Sequence, residues 1–208
     1  MRTVLSLSLS LSLPRVARLG KLGLVLVLLQ LLAACASGPQ TARGPVNPLD
    51  VKVSGSVNRD FTAAVEYLQG ERYPEAIALL QTVVEREQRL SAPYVNLGIA
   101  YYRTGDEKHA EESFLEALRA APLDPVASNE LGVLYRRQGR FEEARVTYSK
   151  SLQLHPDNLP LIKNLGILCD LYLQEPNCAL AQFERYLQYQ SDDAKVAIWV
   201  TDLKRRVN

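Results

Sequence analysis

Few of the side chains that carry chemistry are present: 208 residues hold three cysteines, two histidines and one tryptophan. His109 and His155 stand alone, neither in a motif that pairs it with a nucleophile or a metal ligand. Cys35, Cys169 and Cys178 are too far apart in the chain for a CxxC redox or zinc pair. No glycine-rich phosphate loop occurs, and acid pairs such as Glu111-Glu112 and Glu142-Glu143 read as solvated helix surface. The expectation is no catalytic residue, no metal site, no small-molecule substrate and no cofactor beyond covalent lipid. An excess of either charge is missing too. The formal net charge is +1, which excludes a basic domain built to neutralise nucleic acid. Long apolar runs are also absent. The stretch LGLVLVLLQLLAA, residues 22–34, would span about 20 Å as a helix, short of the roughly 30 Å hydrocarbon core.

That short run has another use. Arg18 and Lys21 precede it and small residues end it, the layout of a secretory signal peptide over residues 1–34. Upstream, VLSLSLSLSL alternates like a strand but stops at Pro14 and would leave with the signal. The exit, Leu32-Ala33-Ala34-Cys35, resembles the bacterial lipobox. The resemblance implies a diacylglyceryl group on the Cys35 thiol, cleavage before it, and an N-acyl lipid such as palmitate on the new amine. The alternative is an ordinary signal peptide with an incidental cysteine. Ala36 stands where an aspartate would favour inner-membrane retention, so the resemblance implies the periplasmic face of the outer membrane. Four of the 24 basic residues and no acidic ones precede Cys35, so the remaining 20 face 23 acidic residues.

Residues 36–56, with three Gly, three Pro and three Ser, read as a tether after the lipidated Cys35. As a flexible coil it spans roughly 25 Å; stretched, it reaches about 70 Å. Beyond it the chain repeats. Leu97-Gly98, Leu131-Gly132 and Leu165-Gly166 lie 34 residues apart, as do Tyr67, Tyr101 and Tyr135, then Ala76, Ala110 and Ala144, then Pro122 and Pro156. Within one period Tyr94, Leu97, Gly98 and Tyr101 share a helical face, and Ala110, Phe114, Ala117 and Leu118 share a second. Gly105-Asp106 breaks the first helix and Pro122 closes the second.

The pattern resembles the tetratricopeptide repeat (TPR), which implies an all-α solenoid of about four helix–turn–helix units: 57–90, 91–124, 125–158 and 159–192. The first has Ala63-Ala64 in place of Leu-Gly. The last needs one extra residue around Pro176-Asn177. Residues 193–208 place Val196, Trp199, Val200, Leu203 and Val207 on one face, a capping helix. Cys169 takes the tyrosine position and Cys178 starts the partner helix. Two readings stand, a disulfide across the hairpin or two buried thiols.

TPR arrays bind partners on the concave face made by their first helices. Register places Phe61, Val65 and Leu68 there, with Val95, Ile99, Tyr102 and Arg103 in the second repeat. Asn129, Val133, Arg136 and Arg137 follow in the third, and Lys163, Ile167 and Asp170 in the fourth. The mixture implies an extended or helical peptide ligand carrying some negative charge. The whole architecture is similar to TPR lipoproteins of type IV and Flp pilus biogenesis, including pilotins that help an outer-membrane secretin assemble. Other TPR lipoproteins scaffold cell-wall hydrolases or accompany TonB-type systems. An envelope enzyme is the remote alternative.

Overall fold

The computed structural model describes residues 52–207. The signal peptide, the lipobox with Cys35 and the tether through Val51 lie outside the described residues. Those described form nine helices and no strand: α1 (Gly55–Gln69), α2 (Tyr73–Arg86), α3 (Ser91–Arg103), α4 (Glu107–Ala120), α5 (Pro125–Arg137), α6 (Phe141–Leu154), α7 (Leu159–Leu171), α8 (Pro176–Tyr189) and α9 (Ala194–Val207). Among them, none is long and apolar enough to cross a membrane.

Several helix starts are capped by short polar side chains. Asp106 accepts from the His109 amide, Asp124 from those of Val126 and Ala127, and Asn158 from that of Leu161. Ser54 accepts from the Val57 amide at 3.3 Å, so α1 begins at Gly55, inside the segment read as tether. The turns inside the middle repeats need a left-handed residue, supplied by Gly105 (φ 83°) and Gly139 (φ 75°). In the outer repeats Glu71 and Gln174, both at φ 56°, do the same without glycine. The extra residue of the fourth repeat falls in the Tyr172–Glu175 turn, ahead of Pro176.

Every helix packs on the next. In addition α1 touches α3, α3 touches α5 and α5 touches α7, whereas α2, α4, α6 and α8 make no such contacts with each other. Close spacing on one side only curves the stack, with α1, α3, α5 and α7 inside. This is a TPR solenoid.

What lets the two helices of a repeat approach is an aromatic ring over a glycine. A Cβ on Gly98 would lie 2.5 Å from Phe114, on Gly132 2.3 Å from Tyr148, and on Gly166 2.6 Å from Phe183. The first repeat uses another pair: Ala64 replaces the glycine and Leu80 the ring, both fully buried. A methyl group is added on one helix and a ring removed from the other, so the contact still fills. The departure at Ala63-Ala64 is thus a compensated packing change.

Tyr148 is fully buried and its hydroxyl has no hydrogen-bond partner among the described residues. Desolvation pushes this phenol far above its ordinary pKa. Phenylalanine occupies the same site in the neighbouring repeats. Tyr148→Phe is therefore expected to raise unfolding stability by about 1 kcal/mol, measured by urea denaturation. A loss of stability would mean that the hydroxyl is paired.

Candidate protein-binding face

The inner surface is made by α1, α3, α5 and α7, and their side chains are tied across successive repeats. Asn164 donates to Asn129 Oδ1 at 2.8 Å, and Arg137 donates to the Tyr102 hydroxyl. Arg206 of α9 bonds Asp170 at 2.6 Å.

Three positions depart from the expected groove. Val95 is only 4% exposed and packs with Ala117 and Ala127. Small residues from α4 and α5 surround it, so the side chain sinks between repeats instead of facing a ligand. Lys163 is not a free cation. Its ammonium lies 2.8 Å from Asp193 and over the Tyr186 ring at 4.8 Å. Each partner favours the charged form of the other: the hydrogen bond that Lys163 donates to Asp193 raises the Lys163 pKa and lowers that of Asp193. Asp170 is likewise engaged, by Arg206.

The other predicted positions divide by chemistry. Val65, Ile99, Val133 and Ile167 are half-buried and supply apolar contact area. Leu68 packs on the core of the first repeat. Phe61 lines a cleft of about 200 Å³ between α1 and α3, with Val53, Val57, Val83, Leu90 and Pro93 among its walls. At the other end of the helices, Arg103, Arg136 and Arg137 have no carboxylate partner among the described residues. Arg137 stacks on Tyr102 with 4.9 Å to the ring centroid, and Arg136 lies over Tyr172 at 5.6 Å. The Arg136 Nε is buried without a partner.

The cleft and Tyr172 were not legible in the sequence. The cleft arises from three helices meeting, and Tyr172 sits in the turn where the 34-residue register slips. Its only signal is the extra residue itself.

Chemistry beyond binding finds little to work with here. Sulfur atoms of Cys169 and Cys178 lie with the Glu175 carboxylate within 4.8 Å of one another. The two sulfurs are bonded to each other at 2.05 Å, and Glu175 is held by Arg145 at 2.6 Å. His109 is exposed, 2.6 Å from Asp106 and stacked on Tyr101.

A family model described as tetratricopeptide repeat matches residues 61–125 and 95–158. Over 177 residues the chain is 26% identical to the type IV pilus assembly protein PilF of Pseudomonas aeruginosa, covering 83% of this chain and 69% of that one. It is 28% identical over 119 residues to the photosystem I assembly protein Ycf3 of Prochlorococcus marinus, covering 50% of this chain and 64% of that one. A probable N-acetylglucosaminyltransferase, SPINDLY of Solanum lycopersicum, is 29% identical over 97 residues. The chain spans only 10% of that protein's length, and the match takes in 47% of this chain. Among solved structures, Pseudomonas aeruginosa PilF superposes with a TM-score of 0.66 at 23% identity, covering 73% of this chain and 68% of that one.

Proposed function

Starting from a chain built of tetratricopeptide repeats, we propose that this protein is a lipid-anchored periplasmic adaptor that takes part in assembling a type IV pilus. The observation that carries the reading is the inner face: three arginines without carboxylate partners among the described residues, on a folded part whose acidic residues outnumber its basic ones. Such a surface recognises a protein segment and offers no group to transform it. The alignment with PilF supports the pathway because it covers most of both chains, whereas the SPINDLY match covers only a small part of a far longer protein.

Cys35 supplies the anchor in this reading. Several acyl chains on one residue make release from a bilayer very slow, and the tether lets the repeats stand clear of the surface. Cys35→Ser is expected to abolish labelling by an alkyne fatty acid and to leave the precursor uncut. Labelled, membrane-retained Cys35→Ser protein would remove the anchor from the proposal.

The deciding experiment cross-links the protein in envelopes of its native bacterium and identifies what is captured. A secretin or pilus component is the expected result. Cell-wall hydrolases or TonB-complex components would keep the adaptor and change its pathway. In the same assay Arg136→Glu with Arg137→Glu should reduce capture at least tenfold with helicity unchanged by circular dichroism. Undiminished capture would place the binding surface elsewhere.

A further inference from the structure

The apolar cleft and the arginines lie toward opposite ends of the inner helices, and their separation constrains what can touch both. The cleft is walled by Val57 and Phe61 of α1, Val83 of α2, and Leu90, Ala92 and Pro93 at the start of α3. Arg103 ends α3, ten residues after Pro93, about 15 Å along the axis. Arg136 and Arg137 end α5, a further helix spacing of about 10 Å away. We infer that the partner segment is extended and bipartite, with an apolar side chain seated in the cleft and one or two carboxylates about five residues away on Arg103, Arg136 and Arg137. The spacing follows from roughly 3.4 Å per extended residue over a path of 15–18 Å. This inference rests on the adaptor reading and narrows it to a ligand chemistry.

Charge selects the acidic half of the motif. Arginines in the last turn of a helix offset its dipole, but α5 carries two, and neither meets a carboxylate among the described residues. The comparable Arg86 at the end of α2 is already bonded to Asp60 at 2.9 Å. Tyr102 and Tyr172 restrain Arg137 and Arg136, whose guanidinium groups lie over their rings, so less side-chain freedom is lost when a carboxylate binds. A peptide fits better than a lipid headgroup, because a headgroup phosphate would satisfy the arginines but leave the apolar cleft, about 15 Å away along the axis, unfilled.

The test selects phage-displayed random 12-residue peptides on the full-length protein, then titrates fluorescein-labelled winners by anisotropy. Enriched sequences should pair an apolar residue with Asp or Glu four to six positions away. Ala92→Glu, at an exposed site on the cleft where a helix N-terminus tolerates an acid, should weaken binding at least tenfold. Replacing Arg103, Arg136 and Arg137 together by serine should do the same and flatten the salt dependence. Winners without the pairing, or affinities within twofold for both variants, overturn the inference. So does binding to vesicles of anionic phospholipid that the serine variant loses while peptide affinity stays, since the arginines would then serve a membrane. If envelope cross-linking still captures a partner through the inner face while the pairing fails, only the bipartite ligand falls; loss of both sinks the adaptor itself.

Discussion

Phe114→Ala is expected to lower the unfolding free energy by about 3–5 kcal/mol, the range for emptying a fully buried aromatic site. Phe114 is 1% exposed and packs against Gly98, so its removal empties the contact between α3 and α4 inside a core that also holds Ala110 and Leu131. Gly98→Ala attacks the contact from the other side. Its methyl would sit 2.5 Å from the ring, and overpacking costs about 1–3 kcal/mol, partly offset by roughly 1 kcal/mol of better helix propensity. The first repeat shows how the clash is relieved, since Ala64 and Leu80 coexist there with both side chains fully buried. Combining Gly98→Ala with Phe114→Leu should therefore be milder than the sum of the two single changes. Urea denaturation of the four proteins in this cycle measures the coupling, and strict additivity would refute the wedge.

The same pair of residues explains why most of the fold could be read from the chain. A repeat writes each packing decision several times over, so Gly98, Gly132 and Gly166 with Phe114, Tyr148 and Phe183 announce helix phase and partner face at once. The inner face was less legible because its chemistry is settled between repeats. Lys163 looks like a binding cation until Asp193, thirty residues later, is brought beside it. Val95 holds the same register position as the half-exposed Asn129. The small side chains of Ala117 and Ala127 let it sink, and no periodicity within one repeat reports its neighbour's volume. The cleft beside Phe61 has no sequence motif, being the gap left where α1, α2 and α3 converge.

Reducing the Cys169–Cys178 bond should destabilise the C-terminal end of the stack by about 2–3 kcal/mol. The bond joins α7 to the first turn of α8 across nine positions, with Cα atoms 5.8 Å apart. For a loop this short the chain-entropy estimate lies in that range, because reduction restores freedom mainly to the unfolded hairpin. The hairpin has reason to need the constraint. Its turn holds one residue more than the others and puts Gln174 in the left-handed region, and its outer face meets only α9. In a solenoid each unit is held by its neighbours, so the loss should appear locally. Amide exchange in α7, α8 and α9 should accelerate in dithiothreitol while α3 and α4 remain protected. Cys169→Ala with Cys178→Ala should behave the same without reductant. Uniform acceleration along the chain would show that the repeats unfold as one unit, and no acceleration would show that packing around Phe183 and Leu168 already holds the hairpin. With local loosening, the ion pairs from Lys163 to Asp193 and from Asp170 to Arg206 lose their fixed geometry. The oxidised bond then helps hold the inner face in a single shape before a partner arrives.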